Sequence, residues 1–568
     1  MIQTVSDGAT FCATLVDEWI ALGLKHAVVA PGSRSTPLAV ALAGRYEIDV
    51  HVFHDERSAA FCALGIGAAT GVPAVVLCTS GTAATHFHAA VVEAGLSLVP
   101  MLVCTADRPP ELHGVGAPQA IDQQNLYGSA VRRFIDVAPQ GADDAPNWRT
   151  IARSSWVAAS DDLNPGPVHL NLGFRDPLVG VAGDIPLRDE FVRQENRRVN
   201  VDASIVGLLA SRRGIVVAGE GIADLDEVSE WLNRLGWPII ADPRSGLRIL
   251  EDRIADAPVV STADPILRSS VMQERLRPDV VVRIGEPPVS KVVNAWLATS
   301  RVAYVALSRR PVVTDPDRVV THRATGPIES ILATLGRVDG RSDESWLEEW
   351  VAAESIARST IDQAMVDAPL HEAKVAHVLV DQLGDDTALV VSSSMPVRDI
   401  EWFGGRRNDL RVLSNRGANG IDGIIATSIG VGLGSREPVT TLIGDVAFLH
   451  DSSSLVNIVD HAVDLHIVLV DNRGGGIFSF LPQATEIEPD RFEQLFGTPH
   501  TTDFSALCAA HGIEYHEVTT EEELIENSLR SGVRLSHVRS NRAQNVEIHR
   551  QLNEAVIAAL ESAFATGE

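Results

Sequence analysis

Val439-Thr-Thr-Leu-Ile-Gly444-Asp445-Val-Ala-Phe448-Leu-His450-Asp451, followed by His466-Ile-Val-Leu-Val-Asp471-Asn472-Arg-Gly474-Gly475-Gly476-Ile477-Phe478, decides the fold. Each half is a short β-branched run that ends in Gly, Asp or Asn, the pattern of a buried parallel strand that stops at a loop. A helical connection between two parallel strands returns the chain to the same sheet edge, so Asp445 and Asn472 are expected at neighbouring strand ends, facing one ligand. An Asp carboxylate, an Asn carbonyl and one backbone carbonyl, that of Gly474, are hard oxygen donors. They suit an octahedral Mg²⁺, or Mn²⁺, that completes its shell with phosphate oxygens and water. Gly474 to Gly476 would let the backbone approach a diphosphate.

The same grammar recurs along the chain. Ala27–Ala30, Val50–Phe53, Ala74–Cys78 and Val99–Thr105 form a first set of strands, Ile215–Ala218, Pro238–Ala241, Val280–Ile284 and Val302–Leu307 a second. Ala388–Val391 and Arg411–Leu413 join the opening pair in a third. The expected fold class is therefore α/β, with three doubly wound parallel-sheet domains at 1–190, 195–338 and 369–568 and a charged helical connector at 339–368. Ala63-Leu-Gly-Ile66-Gly67-Ala-Ala-Thr-Gly71 and Ala426-Thr-Ser-Ile429-Gly430-Val-Gly-Leu-Gly434 match at four of nine places, an echo that would make the first and third domains related halves facing a shared site.

Composition bounds the rest. The chain has 568 residues, 45% hydrophobic and 21% charged, which excludes gross disorder. A net charge of −28 without a basic run excludes nucleic acid and anionic membrane surfaces as partners. The five cysteines form no CxxC pair and no disulfide framework, and the first twenty residues have no basic n-region, so a cytoplasmic, reducing location is expected. Between Ser58 and Ala106 Glu93 is the only Asp, Glu, Lys or Arg, but Gly71-Val72-Pro73 and Thr79-Ser80-Gly81-Thr82 interrupt the stretch too often for the ~20 apolar residues of a membrane span.

The paired motif at 445 and 472 resembles the metal and diphosphate motif of the thiamine-diphosphate-dependent decarboxylase superfamily, with Val446 and Asp471 departing from its usual Gly-Asp-Gly and Asn-Asn. Further motifs extend the resemblance over nearly the whole chain: Pro31-Gly32-Ser33-Arg34-Ser35-Thr36-Pro37, His54-Asp55-Glu56-Arg57-Ser58-Ala59, Thr79-Ser80-Gly81-Thr82-Ala83, Thr105-Ala106-Asp107-Arg108-Pro109-Pro110, Gln119-Ala120-Ile121-Asp122-Gln123, Ser414-Asn415-Arg416-Gly417-Ala418-Asn419-Gly420-Ile421-Asp422-Gly423 and Gly476-Ile477-Phe478-Ser479-Phe480-Leu481-Pro482. Within the superfamily they are most similar to the branch that joins 2-oxoglutarate to isochorismate in menaquinone biosynthesis.

The resemblance implies thiamine diphosphate and Mg²⁺ (or Mn²⁺) as cofactors. Glu56 would be the carboxyl that promotes the imino form of the aminopyrimidine. Thr79, Gly444, Ile421 and Ile477 join Asp445 and Asn472 as cofactor contacts, with Ile421 holding the cofactor bent. Ser33, Arg34, Arg108, Gln119, Lys291, Ser394, Arg398, Arg416 and Phe478 are implied as substrate contacts. The chemistry agrees: both substrates are dicarboxylates, and Arg34, Arg108, Arg398 and Arg416 are each expected in a loop just after a strand, where an Arg fork can hold a carboxylate by two hydrogen bonds. Val292 replaces a basic residue common beside Lys291 in the family. The family further implies a homodimer or homotetramer, with the site across a subunit interface. The rival readings are a sister carboligase that uses pyruvate, a dinucleotide oxidoreductase and a non-catalytic protein of the same fold. Gly219-Glu220-Gly221 prompts the second, but Asp224 stands where its third glycine belongs.

Overall fold

A computed structural model describes residues 4–192, 198–249, 254–336, 342–456 and 458–565. Among these residues the strands form three sheets, one in each third of the chain. The first holds β1 (His26–Val29), β2 (Asp49–Val52), β3 (Ala74–Cys78), β4 (Met101–Asp107), β5 (Arg133–Val137) and β6 (Pro167–Gly173), all parallel, in the order β2-β1-β3-β4-β6-β5. The middle sheet holds β7 (Asn200–Val201), β8 (Gly214–Ala218), β9 (Ile239–Ala241), β10 (Val259–Val260), β11 (Val280–Ile284), β12 (Ala303–Ser308) and β13 (His322–Thr325). Its order is β10-β9-β8-β11-β12-β13-β7, and β7 runs antiparallel to β13 at one edge. The third holds β14 (Ala388–Val391), β15 (Arg411–Leu413), β16 (Val439–Gly444), β17 (Leu465–Asp471), β18 (Glu514–Glu517) and β19 (Arg534–Arg539), in the order β15-β14-β16-β17-β19-β18.

The first and third sheets thus share one strand permutation. The echoing segments lie in the helices Glu56–Thr70 and Ile424–Ser435, which follow β2 and β15 and pack on each other. Small residues let the two backbones meet: a Cβ on Gly65 would lie 2.1 Å from the Thr427 carbonyl oxygen, and one on Gly430 2.0 Å from that of Cys62. Around this crossing a single apolar core, including Val28, Phe61, Ile429 and Ile467, runs through both units.

Local chemistry starts and stops the helix Glu56–Thr70. The Asp55 carboxylate accepts the N–H groups of Arg57 and Ser58, and Gly71 ends the helix at a left-handed φ of 68°. Arg57 then donates to the His450 carbonyl (2.9 Å), and the Ser454 hydroxyl to that of Ser58 (2.8 Å), tying the helix start to the third unit. Beside them His51 stacks on His26 with ring centroids 5.5 Å apart, and His461 meets His51 edge-on at 6.3 Å.

The connector is a helix, Glu344–Val366, that buries Trp346 and Trp350 against the middle unit. Its Glu354 accepts four hydrogen bonds from the main chain and hydroxyls of Ser261 and Thr262. All five cysteines are free and buried. No helix among the described residues is long and apolar enough to cross a membrane.

Candidate active site

β16 and β17 pair in parallel with Gly444 opposite Val470, so Asp445 and Asn472 leave neighbouring strand ends. Asp445 is buried, and its Oδ2 accepts the N–H of Gly474 at 2.7 Å and lies 3.0 Å from His500 Nε2. Burial raises its pKa, against the hydrogen bonds from His500 and the main chain. Asn472 Nδ2 donates to Glu372 Oε1 at 3.0 Å, and Ser540 donates to the same oxygen at 2.9 Å. That contact fixes the amide's orientation and leaves Asn472 Oδ1 buried without a donor among the described residues. A buried carbonyl oxygen in that state needs a partner, and a hard cation is one. Burial, with Asp399 nearby, pushes Glu372 up to about 7.

Asp471, where the family motif usually has Asn, does other work. Its Oδ2 lies 3.0 Å from His537 Nε2 and its Oδ1 accepts the Arg473 N–H at 2.9 Å. Burial opposes its ionisation, but these bonds hold it down to about 2. Asp445, Asp471 and His500 bring ligand atoms within 4.8 Å of one another. His500 and Glu372 were not legible in the sequence: each is one polar residue, remote from the motif and carried to it by the fold.

The glycines have a reason beyond the expected one. Cβ atoms on Gly474 and Gly475 would lie 1.9 Å and 2.2 Å from the carbonyl oxygens of Gly497 and Phe496, so one side of this loop is filled by the chain itself. The Gly474 carbonyl accepts the Gly476 N–H at 2.9 Å and keeps its second lone pair. A buried carboxylate, an amide oxygen without a donor and a close-packed glycine loop fit a divalent cation with a diphosphate.

These groups wall a cavity of about 480 Å³. Gly444, Asp445, Asn472 and Gly474 form one side, Ser394, Arg398 and Arg416 another, and Ile421, Ile477 and Phe478 add apolar surface. Arg398 stands inside the helix Met395–Phe403 rather than in a loop after a strand, because Ser394 turns the chain at φ 78° and the helix starts at once. Arg416 follows β15 in a loop, as expected. Burial, then Arg244 and Arg398, bring its guanidinium down to about 10. Burial likewise lowers Arg398. Neither forms an ion pair with a carboxylate among the described residues. The site thus presents two cations that no carboxylate among the described residues pairs with directly, though Glu372, Asp399 and Asp445 also line it.

The expected contacts from the first unit gather elsewhere, at the ends of β1 to β4. Thr79 Oγ1 accepts the Arg34 N–H at 3.3 Å, and Gly32 fits so closely that a Cβ there would lie 2.2 Å from Thr79 Cβ. Arg34 is buried, donating to the Phe174 carbonyl at 3.0 Å and reaching Asp176 at 3.4 Å. Arg108 follows β4 directly, its Nε buried without a partner. Gln119, at φ 53°, lies against Gly81. Ser33 is exposed in the turn before helix Thr36–Ala43, and Glu56 is half-buried at its helix start. None of these residues lines the 480 Å³ cavity of the same chain. Nor does Lys291, which is exposed at the first turn of helix Lys291–Ser300.

Residues 10–126 match the thiamine pyrophosphate enzyme N-terminal TPP binding domain, 188–391 the middle domain of thiamine pyrophosphate enzymes, and 405–538 their C-terminal TPP binding domain. The chain is 36% identical over 575 residues to a 2-succinyl-5-enolpyruvyl-6-hydroxy-3-cyclohexene-1-carboxylate synthase of Listeria innocua, covering 97% of this chain and 98% of that one. It is 39% identical over 582 residues to the synthase of Chloroflexus aurantiacus, with 98% and 97% covered. It is 37% identical over 569 residues to that of Lysinibacillus sphaericus, with 96% and 98% covered.

Proposed function

Since the chain belongs to the 2-succinyl-5-enolpyruvyl-6-hydroxy-3-cyclohexene-1-carboxylate synthase family of thiamine pyrophosphate enzymes, we propose that it decarboxylates 2-oxoglutarate and adds the four-carbon remainder to isochorismate. It is a transferase of menaquinone biosynthesis and uses thiamine diphosphate. The succinyl group in the relatives' name is what 2-oxoglutarate becomes on losing carbon dioxide. One observation carries the reading: the cavity has oxygen donors for a metal diphosphate at one side and, at the other, two arginines that form no ion pair among the described residues.

Thiamine diphosphate, when bound, supplies the nucleophilic carbon and the electron sink that decarboxylation needs. Asp445, Asn472 through Oδ1 and the Gly474 carbonyl would hold Mg²⁺ or Mn²⁺ for its diphosphate. Ile421, Ile477 and Gly444 would shape its seat, and Glu56 with Thr79 would meet its pyrimidine, Glu56 sharing a proton with the ring nitrogen. Arg398 and Arg416 would each grip a carboxylate, with Ser394 as a neutral donor and Phe478 excluding water. Ser33, Arg34, Arg108 and Gln119 sit apart from this cavity in one chain, which supports a homodimer or homotetramer in which a second copy delivers them together with Glu56. Lys291 belongs to the same proposed substrate set, and the cytoplasm is the proposed location.

Carbon dioxide release from 2-oxoglutarate, compared with pyruvate and measured with and without isochorismate, tests the reading. Release from 2-oxoglutarate that couples to isochorismate consumption is expected. A preference for pyruvate would move the protein to the sister carboligases.

A further inference from the structure

Glu93, the only Asp, Glu, Lys or Arg between Ser58 and Ala106, is 3% exposed on the helix His88–Ser97 of the first unit, and its charge also favours the Arg416 guanidinium. Its Oε1 accepts the N–H of Gly417 at 2.7 Å and the hydroxyl of Ser97 at 2.7 Å. Its Oε2 accepts the N–H of Ala418 at 2.6 Å. Two successive main-chain donors of the third unit therefore converge on one acid from the first. The contact is close from both sides: a Cβ on Gly417 would lie 2.7 Å from Ser97 Oγ, 2.8 Å from Leu96 Cβ and 2.9 Å from the Glu93 carbonyl oxygen.

The clamped segment carries Arg416 immediately before it and Ile421 three residues beyond it, and both line the cavity. Among the described residues no carboxylate forms an ion pair with Arg416, although Asp242 and Glu93 attract it through space, so its aim depends largely on its backbone. A charged acceptor binds two N–H groups more strongly than an amide, whose single carbonyl oxygen could not span both with this geometry. We propose that Glu93 is a positioning residue that sets the Arg416 loop, and so the point at which the cavity receives a substrate carboxylate. This rests on the reading of the cavity as a dicarboxylate site. It gives the first unit a role in the site of its own chain.

Steady-state kinetics of the holoenzyme, saturated with thiamine diphosphate and Mg²⁺, test the proposal with 2-oxoglutarate and isochorismate varied in turn. Glu93→Gln should raise the KM of the dicarboxylate that Arg416 holds by about tenfold, the order of one misplaced charge-assisted hydrogen bond, with kcat and the cofactor-induced melting shift nearly unchanged. Arg416→Ala should raise the same KM, and the double variant should be no worse than Arg416→Ala alone. Gly417→Ala pushes the loop from the other side without altering the charge, and should raise the same KM even if Glu93→Gln folds poorly. Additive effects in the double variant, or an unchanged KM in both Glu93→Gln and Gly417→Ala, would overturn the proposal alone. A wild type that turns over neither dicarboxylate would overturn the functional reading and this inference with it.

Discussion

An alanine at position 430 tests the packing on which the paired units depend. Its methyl would lie 2.0 Å from the Cys62 carbonyl oxygen, where ordinary contact begins near 3.4 Å, so the helices Glu56–Thr70 and Ile424–Ser435 must part by about 1.4 Å at their crossing. The obstacle is main chain, which cannot rotate away as a side chain can. A gap of ~0.5–1 Å already forfeits a quarter to a half of the dispersion energy of the atoms it separates. Overpacked cores lose about 1–3 kcal/mol, and this displacement belongs at the upper end. Alanine's better helix propensity returns ~0.8–1.0 kcal/mol, which leaves a net loss of about 2 kcal/mol. For a cooperative unit of ~150–250 residues that lowers Tm by about 4–8 °C, measured by scanning fluorimetry on the apo chain. Gly432→Ala is the control, the same change in the same helix, where the new methyl meets only side chains, Val439 Cγ2 at 3.3 Å and Val463 from 3.5 Å. Its Tm should stay level or rise slightly. A Gly430→Ala protein that melts at or above wild type, or a Gly432→Ala protein that loses as much, would refute the reasoning.

Other outcomes follow from the site and its flanks. Asp445→Ala should abolish the stabilisation, about 2.7 kcal/mol at a hundredfold excess over Kd, that thiamine diphosphate with Mg²⁺ confers; an unaltered melting shift would remove Asp445 from the metal site. Glu56→Gln should keep that shift and lose turnover by on the order of 10²–10⁴, and full activity would sink its role at the pyrimidine. His51 is brought down to about 4 by burial and by His26 and His461, so the fold favours its neutral form. The stability it contributes is complete above pH 6.5 and is lost as pH falls toward 4, by about 3 kcal/mol, because the unfolded chain takes the proton first. Urea denaturation across that range should show a flatter pH dependence for His51→Gln, and an identical slope would contradict the assignment.

What the sequence makes legible divides on physical lines. Strands such as β3 and β8 are unbroken apolar runs, and β11 is one but for Arg283, so they announce themselves. β6 and β19 do not: β6 buries Asn171, which Thr105, Asp107, Asp136 and Gln123 satisfy, and His169, whose Nε2 meets Thr105, and β19 reads Arg-Leu-Ser-His-Val-Arg. Buried polar side chains with partners in distant strands look like loop residues until the partners are known. The edge strands β5 and β18 are half-exposed and carry charges, because each lies at an edge of its sheet. In the site, Asp445 and Asn472 are legible because each ends an apolar strand beside glycines. Glu372, His500 and Glu93 are not, because only topology brings them to the motif. Arg398 was recognisable as a residue but misplaced as a loop position, since the positive φ of Ser394 leaves no trace in composition.

The two guanidiniums that form no ion pair among the described residues have a practical consequence. A half-desolvated cation pair in a chain of net charge −28 attracts whatever small dianion the medium contains, and phosphate and sulfate present oxygens much as a carboxylate does. In a phosphate buffer the apparent KM for a dicarboxylate would include displacement of the buffer ion, and a Tm raised by sulfate would report occupancy of this cavity together with the salt's general effect. The ionic composition of the assay is therefore a variable of the site, and kinetic constants compare fairly only when taken in the same zwitterionic buffer.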